Sequence, residues 1–389
     1  MKILVICGVY APENEAEVLR CSKGYAEQSA NIFQRKLIRG IEENAMAYKV
    51  ISAPLIGAYP QRYRKIRFRK FAVPQEKYQY VPFCNIWGLR NISRAFSLKR
   101  AVKKYLKSQP KENFLILVYC PHTPFLSAAI YAKELAAHSK VCLVVPDLPQ
   151  YMNLEEKRHP IYDFFKKYDI RHMQHLIDRV DSFVLLTEPM KDALKVGGRP
   201  YIVAEGLVEP NTPVKKNSDD GIRRIVYTGK MNIRFGIREL IESFMKIKEK
   251  HFRLILCGDG DARTYVEEMA AMDPRIEYKG TVTAAQARAY VNQADVLVNP
   301  RPNHGVYTKY SFPSKNIEYL MTGKPVVAYM LDGMSPIYEK FLYVIPPSVR
   351  SFEDILLDAC QKATPKGDFP AYGKKYLDPG SVIRRIVNM

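Results

Sequence analysis

The sequence contains no apolar run long enough to cross a membrane as a helix. Its longest purely apolar runs, including residues 3–7 and 115–120, have the length of strands, far below the roughly 20 residues that a membrane span needs. Three glutamates follow the first run closely, and no small-residue cleavage site is present. We therefore expect residues 3–7 to form a buried strand rather than the core of a signal peptide.

Paired cysteines are also absent. The seven cysteines are scattered singly with no C-x-x-C pair, which predicts buried, reduced thiols in a cytosolic protein rather than structural zinc or disulfides. A composition of 47% hydrophobic and 26% charged residues is typical of a soluble globular protein and excludes a disordered or fibrous chain. With 389 residues, the chain is too long for one ordinary core, so two or three domains are expected.

Acidic residues are scarce in one segment of a chain whose net charge is +20. Between Arg62 and Lys107 there are 14 Lys or Arg residues and a single acidic residue, Glu76, with aromatic residues interleaved. Such a segment predicts contact with a polyanion, either an anionic membrane surface or a nucleic acid. The alternative is a solvated face with no partner. The cations that we predict to make this contact are Arg64, Lys65, Arg67, Arg69 and Lys70.

Short apolar runs alternate with amphipathic helical stretches along the chain, which predicts an α/β protein with mostly parallel sheets. A polar stretch at residues 209–220 interrupts this pattern and is the predicted linker. We expect one doubly wound domain at residues 1–208 and a second at 221–375, facing each other across a cleft. Residues 376–389 are expected to form a helix that packs back on the first domain. Ligands of such sheets bind beyond the carboxyl ends of the strands.

The segment 226–240 has the features of a phosphate-binding loop. A predicted strand ends before Gly229, Lys230 and Arg234 supply positive charge, and Gly236 opens a helix. Free amides at a helix N-terminus and nearby cations suit a diphosphate. The alternative is an ordinary loop with solvated cations.

A second glycine-rich turn, Gly258-Asp259-Gly260, follows the next predicted strand. It is predicted to bring the backbone close to a ligand, although it is not the G-x-G-x-x-G pattern of dinucleotide binding. Asp259 and Asp261 could hold a divalent cation. A carboxylate that caps the following helix explains them equally well.

The segment 309–327, KYSFPSKNIEYLMTGKPVV, carries the strongest signal. Pro313 and Ser314 are predicted to break the chain and cap a helix, with Lys315 in its first turn near a bound phosphate. Glu318 follows one turn later, and its carboxylate can accept hydrogen bonds from the vicinal hydroxyls of a ribose. The alternative is that Lys315 and Glu318 form a surface ion pair.

This last segment resembles the signature of the large family of retaining glycosyltransferases with the GT-B fold, which use nucleotide sugars. The resemblance is closest to the polysaccharide-assembly branch, and it extends over most of the C-terminal half. It implies that residues 221–375 form a nucleotide-sugar-binding Rossmann-like domain and that residues 1–208 form a Rossmann-like domain that binds the acceptor. The residues expected to contact the donor are Gly229, Lys230, Arg234, Gly258, Asp259, Gly260, Thr281, Val282, Tyr310, Ser311, Phe312, Ser314, Lys315 and Glu318.

The family pattern also implies individual roles. Glu318 matches the glutamate that binds the donor ribose, and Lys230 occupies the first basic position of the phosphate loop. Phe235 stands at the second basic position, so Arg234 or Lys315 is expected to supply that charge. Tyr310 replaces the first glutamate of the family motif, and Thr281-Val282 lies in the loop whose backbone reads the nucleobase.

Two candidates lie in the first half. His122, in the sequence YCPHTP, stands where the family often has a histidine near the transferred sugar, and we list it with Lys230 and Glu318 as catalytic. The alternative is a histidine in an ordinary loop. Asp147 ends the following strand and is a candidate for the acceptor side.

The resemblance implies transfer of a sugar, with retention, from a UDP-sugar to a glycan acceptor that is lipid-linked, in capsule, exopolysaccharide or related synthesis. No metal and no cofactor beyond the donor is expected. Combined with the basic segment, it implies a cytoplasmic enzyme that is peripheral at the inner face of the cell membrane, with no nucleic acid as partner. The alternatives are a GT-B sugar-nucleotide epimerase and a nucleic-acid-binding protein with Rossmann-like domains.

Overall fold

The computed structural model describes residues 1–24, 28–71, 77–149, 160–209, 220–346 and 351–389. The chain divides into two compact units. Unit 1 comprises Met1–Leu207 and Asp378–Met389, and unit 2 comprises Val208–Leu377. Most of the predicted linker and Glu76 of the basic segment lie outside the described residues.

Unit 1 is built on a parallel sheet of seven strands in its described part, in the order β4-β2-β1-β6-β7-β8-β9. These strands are β1 (Lys2–Cys7), β2 (Tyr48–Ser52), β4 (Tyr78–Tyr80), β6 (Phe114–Tyr119), β7 (Lys140–Val145), β8 (Ser182–Leu185) and β9 (Tyr201–Val203). A separate antiparallel pair consists of β3 (Arg67–Phe68) and β5 (Phe83–Cys84). The helices of unit 1 are α1 (Glu15–Cys21), α2 (Gln28–Glu43), α3 (Leu89–Lys107), α4 (Thr123–Leu135), α5 (Pro160–Ile177), α6 (Met190–Ala193) and α13 (Pro379–Val387).

Unit 2 has a six-stranded parallel sheet in its described part, in the order β12-β11-β10-β13-β14-β15. The strands are β10 (Arg223–Thr228), β11 (Phe252–Cys257), β12 (Ile276–Tyr278), β13 (Val296–Asn299), β14 (Val326–Ala328) and β15 (Tyr343–Val344). The helices are α7 (Ile237–Lys246), α8 (Arg263–Met272), α9 (Ala284–Gln293), α10 (Ser314–Leu320), α11 (Phe352–Lys362) and α12 (Phe369–Tyr376).

The strands form where the sequence has short continuous apolar runs, because a parallel sheet covered by helices is buried on both faces. All residues of β6 are buried, as are the last four residues of both β10 and β11. Strand order reverses beside β1 in unit 1 and beside β10 in unit 2. Ligands of doubly wound sheets bind at this kind of reversal, beyond the carboxyl ends of the strands.

The basic segment contains a long helix that the sequence analysis did not predict. Helix α3 turns Arg94, Leu98 and Val102 into the protein. Its other face exposes large apolar side chains, Leu89, Ile92 and Phe96. The density of cations on α3 made the segment read only as a basic surface.

Helix α13 belongs to unit 1 and packs on α2. The contact is close at Gly40, where an added Cβ would lie 2.4 Å from the carbonyl oxygen of Pro379. The amide of Gly380 donates to the carboxylate of Glu43 over 3.1 Å. The predicted boundary at residue 376 is two residues early, because α12 continues to Tyr376 and packs within unit 2.

All seven cysteines lie in described residues and all are free. Six are buried, and burial raises the pKa of the Cys7 and Cys142 thiols to about 12. In the part of the chain that the structure describes, no helix is both long and apolar enough to span a membrane.

Candidate functional site

The loop after β10 contains the first predicted phosphate-binding segment. Gly236 is the residue before α7 and has a φ of +79°, a conformation that favours glycine. A Cβ at this position would lie 2.1 Å from the carbonyl oxygen of Pro300. Gly236 therefore lets the start of α7 approach the end of β13. Lys230 and Arg234 are both exposed on this loop.

The glycines of the second turn allow two loops to pack closely. A Cβ on Gly258 would lie 1.7 Å from the carbonyl oxygen of Gly229, and a Cβ on Gly260 would lie 2.4 Å from that of Met231. These positions bring the loop after β11 against the loop after β10. The absence of side chains at Gly258 and Gly260 thus makes room for protein backbone, and the contact of this turn with a ligand stays a prediction.

The two aspartates of that turn hold the loops together. Asp261 accepts a hydrogen bond of 2.8 Å from the amide of Ile233, and Asp259 accepts one of 2.9 Å from the amide of Gly260. Neither caps α8, whose preceding residue is Ala262. Among the described residues, no group of three or more His, Cys, Asp or Glu side chains could hold a metal ion.

The third segment leads from the end of β13 into α10. Ser314 is the first residue of this helix rather than its cap, because Pro313 precedes the helix and no side chain caps it. The predicted capping role of Ser314 is therefore wrong. Two buried hydrogen bonds fix helix α10 to the sheet. The amide of Thr228 donates to the hydroxyl of Tyr319 over 2.8 Å, and the Nδ2 of Asn299 donates to the Oδ1 of Asn316 over 2.5 Å.

The ammonium of Lys315 lies 2.8 Å from the carboxylate of Glu318. The two residues thus form an i,i+3 ion pair on the surface, as in the alternative interpretation of this segment. The side chain of Glu318 is 61% exposed, so its carboxylate can exchange Lys315 for hydroxyl groups. Exposed pairs of this kind hold side chains only weakly.

The residues before α10 differ in accessibility. Tyr310 and Ser311 are half-buried. Phe312 is buried, and its ring centroid lies 5.0 Å from that of Tyr338. Its ring belongs to an aromatic cluster of unit 2, so a ligand contact at Phe312 would have to come from its backbone.

The predicted nucleobase loop follows β12. Gly280 accepts a hydrogen bond of 2.8 Å from the amide of Gly258, which joins this loop to the other two. Thr281 is exposed and Val282 is half-buried. Thr283 then begins α9 with a capping box to Gln286.

Arg301 is a residue that the sequence analysis did not place in the site. It follows β13 directly after Pro300, and its guanidinium lies 5.8 Å from the ring centroid of Phe235 and 5.6 Å from that of Tyr307. Burial lowers the pKa of Arg301, and the positive charge of Arg234 adds to this effect. The only signal in the sequence was its position at the end of a predicted strand, in Asn299-Pro300-Arg301.

In unit 1, His122 precedes α4 at the carboxyl end of β6. Its Nδ1 is buried and has no hydrogen-bond partner, and its ring centroid lies 4.5 Å from that of Phe125. Burial lowers the pKa of His122 well below its usual range, and the charges of Arg94 and Arg90 lower it further. The imidazole is therefore neutral at neutral pH.

Arg94 is the cause of part of that effect. Only 1% of its surface is exposed, its Nη2 donates to the carbonyl of Pro54 over 2.8 Å, and its guanidinium lies 4.3 Å from the ring centroid of Phe83. Burial lowers the pKa of Arg94 to about 9. The carbonyl and the ring offset part of the cost of burying the charge.

The remaining candidates of unit 1 are on its surface. Asp147 is exposed two residues after β7. The predicted membrane-facing cations are all exposed, and Lys65 pairs with Glu17 at 2.8 Å. In the sequence, these cations lie close to Phe68 and Phe71, whose rings are buried. These exposed cations are Arg64, Lys65, Arg67, Arg69 and Lys70.

Comparison with solved structures identifies the class of the fold. Sucrose-phosphate synthase from Thermosynechococcus elongatus matches with a TM-score of 0.61 at 15% identity, over 100% of this chain and 98% of that one. The Anabaena protein HepE, solved in complex with UDP, matches with a TM-score of 0.60 at 15% identity, over 100% of this chain and 99% of that one. At these identities the likeness shows the fold alone. It is the GT-B fold, which confirms the predicted α/β class with two Rossmann-like domains.

Sequence comparison concerns the second unit. Residues 222–361 match the model of the family described as Glycosyl transferases group 1. An uncharacterized glycosyltransferase of Methanocaldococcus jannaschii is 28% identical over 122 residues, and this alignment spans 30% of each of the two chains. The family match thus concerns residues of unit 2.

Proposed function

We propose that this protein is a glycosyltransferase that moves a sugar from a nucleotide sugar to a glycan acceptor. The observation that carries the proposal is the presence of charged residues on the connections that follow β10 and β13, at the reversal of strand order in unit 2. The cations are Lys230, Arg234 and Arg301, and the carboxylate is Glu318 on α10. The family match of residues 222–361 supports the same assignment.

The chemistry follows from these charges. Cations and the amides at the start of α7 stabilise the diphosphate as negative charge grows on it during departure of the sugar. Glu318 accepts hydrogen bonds from the ribose hydroxyls when Lys315 releases it. A UDP-sugar is the proposed donor, and the complex of HepE with UDP supports this choice. Retention of configuration and independence of metal are part of the proposal, as is a role in cell-surface glycan synthesis.

Unit 1 is the proposed acceptor domain. The neutral imidazole of His122 can donate or accept a hydrogen bond beside the reacting sugar without adding charge. Its place at the carboxyl end of β6, next to the reversal of strand order in unit 1, supports this role.

The test is donor binding followed by turnover. The purified chain is heated with UDP-glucose, UDP-galactose, UDP-N-acetylglucosamine and UDP-glucuronate, since a true ligand raises the unfolding temperature by mass action. UDP release with the best donor is then measured with and without a lipid-linked glycan extract. Release of UDP that requires the extract supports a transferase. Conversion of the donor sugar without the extract would instead show an epimerase.

We further propose that α3 docks unit 1 on an anionic membrane. Trp87 precedes the helix with 54% of its surface exposed, and Ile92 and Phe96 expose 70% and 68%. Leu89, Ile92 and Phe96 share one face of the helix by their spacing, and with Trp87 we name them the α3 ridge. Exposed apolar patches of this kind mark interaction sites.

The charges near the α3 ridge favour a lipid surface over a protein partner. The exposed cations Arg100, Lys103, Lys104 and Lys107 lie on the same helix. Peripheral membrane binding has two components. Apolar side chains enter the lipid interface, and neighbouring cations bind the anionic headgroups.

Vesicle flotation tests this docking. Binding to vesicles that contain phosphatidylglycerol, decreasing with salt and absent from neutral vesicles, is the expected result. Absence of binding at low salt would contradict the membrane proposal. RNA binding that competes with the vesicles would point instead to a nucleic acid as the polyanion.

A further inference from the structure

Arg301 is a partly buried cation without an anionic partner in the described part of the chain. Its Nη2 donates to the hydroxyl of Ser311 over 3.0 Å, and the side chain of Tyr307 is a further polar neighbour. Its Nε is buried and has no hydrogen-bond partner. No carboxylate is among the groups that affect its pKa. A guanidinium held in this way is costly unless an anion joins it.

The surroundings of Arg301 increase that cost. The guanidinium of Arg234 lies 4.8 Å from the ring centroid of Phe235, the same ring that Arg301 approaches within 5.8 Å. Two like charges therefore lie near one aromatic ring. Such an arrangement is stabilised when a multivalent anion lies between the cations.

The position of Arg301 indicates which anion this is. Pro300, the preceding residue, contacts Gly236 at the start of α7. The first backbone hydrogen bond of α7 is donated by Leu240 to Gly236. The amides of the three residues between Gly236 and Leu240 thus precede the first hydrogen bond of the helix, and they lie at its N-terminal end. Amides at the start of a helix and a guanidinium fork on the adjoining connection both match the oxygens of a phosphate.

We infer that Arg301 binds the diphosphate of the donor and supplies the cation that Phe235 does not provide. This inference rests on the proposed function. The ring of Phe235 serves as a platform on which Arg301 and Arg234 are held.

Calorimetric titration of Arg301→Met and Arg301→Lys with UDP, UMP and uridine tests the inference. We expect Arg301→Met to bind UDP about 10- to 100-fold more weakly, with uridine affinity unchanged. Arg301→Lys keeps the charge without the planar fork, so an intermediate loss is expected. Arg288→Met is the matched control, since Arg288 is an exposed arginine on α9 of the same unit.

Several outcomes would overturn the inference. Unchanged UDP affinity in Arg301→Met rejects the role of Arg301 while leaving the proposed function intact. Equal loss of UDP and uridine affinity, or a lower unfolding temperature without ligand, shows a structural role only. If the wild-type chain binds no nucleotide, the proposed function fails, and pyrophosphate then serves as the probe. Pyrophosphate binding that Arg301→Met abolishes would retain the anion site, and its absence would reject it.

Discussion

The Cα atom of Gly258 faces the carbonyl of Gly229 so closely that a Cβ on Gly258 would lie 1.7 Å from that oxygen. The amide of Gly229 donates to the carbonyl of Cys257 over 2.9 Å, and the amide of Gly258 donates to Gly280 over 2.8 Å. Three loops at the carboxyl edge of the unit 2 sheet are thus joined through their backbones. The loop after β10, which we propose to bind the donor diphosphate, is held by this contact.

Gly258→Ala is therefore expected to destabilise unit 2 strongly. Gly258 has a φ of +139° and no room for a methyl group, so backbone strain and overpacking add to about 3 kcal/mol or more. Gly280→Ala is the control, since Gly280 also has a positive φ, +63°, but has open space around it. It should cost only about 1–2 kcal/mol. Urea unfolding measures both, and equal losses would show that the loop contact is unimportant.

Glu318→Ala is expected to weaken UDP binding about 10- to 100-fold, because two hydrogen bonds from ribose hydroxyls to a carboxylate are lost. The same change should barely affect the unfolding free energy, since Glu318 is exposed and its pair with Lys315 lies on the surface. Titration with UDP and with 2′,3′-dideoxy-UDP checks the reason. The analogue should bind wild type and Glu318→Ala alike. Glu268→Ala, at an exposed site on α8, is the control, and a loss of the same size there would contradict the assignment.

His122 predicts a pH dependence of stability. Its folded-state pKa is depressed by burial and by Arg94 and Arg90, so below about pH 6.5 the unfolded chain binds a proton that the folded chain does not. The free energy of unfolding should therefore decrease as the pH falls from about 6.5, by up to about 1.4 kcal/mol per pH unit. His122→Gln should lack this part of the slope. Denaturant titrations of both proteins at pH 7.5 and pH 5.5 measure the difference, and parallel curves would contradict it.

The α3 ridge predicts a separation of membrane binding from donor binding. Ile92→Ser combined with Phe96→Ser should lower the affinity for anionic vesicles by at least about 10-fold, because two apolar side chains no longer enter the interface. Affinity for UDP should stay unchanged, as both residues are in unit 1. Met272→Ser, at an exposed apolar site of unit 2, is the control. Equal vesicle binding by the double variant and wild type would reject the ridge as the docking surface.

Much of the fold could be read from local sequence pattern. The alternation of apolar runs and amphipathic stretches predicts the two parallel sheets, and the strand expected at residues 3–7 lies within β1. Glycines and cations at strand ends likewise mark the connections that carry the candidate site. These features depend on neighbours along the chain, and a sequence displays such neighbours directly.

Contacts between distant residues were decided only by the tertiary structure. Gly258 and Gly260 were predicted to bring the backbone close to a ligand, and the fold shows that their missing side chains make room for another loop. Arg301 had no assigned role until the fold brought it beside Phe235, and the two faces of α3 became distinct only when Arg94 turned inward. The sequence determined which segments form strands, helices and charged loops. Which glycine meets which carbonyl, and which cation lacks an anion, depends on contacts across the sheet that no local period encodes.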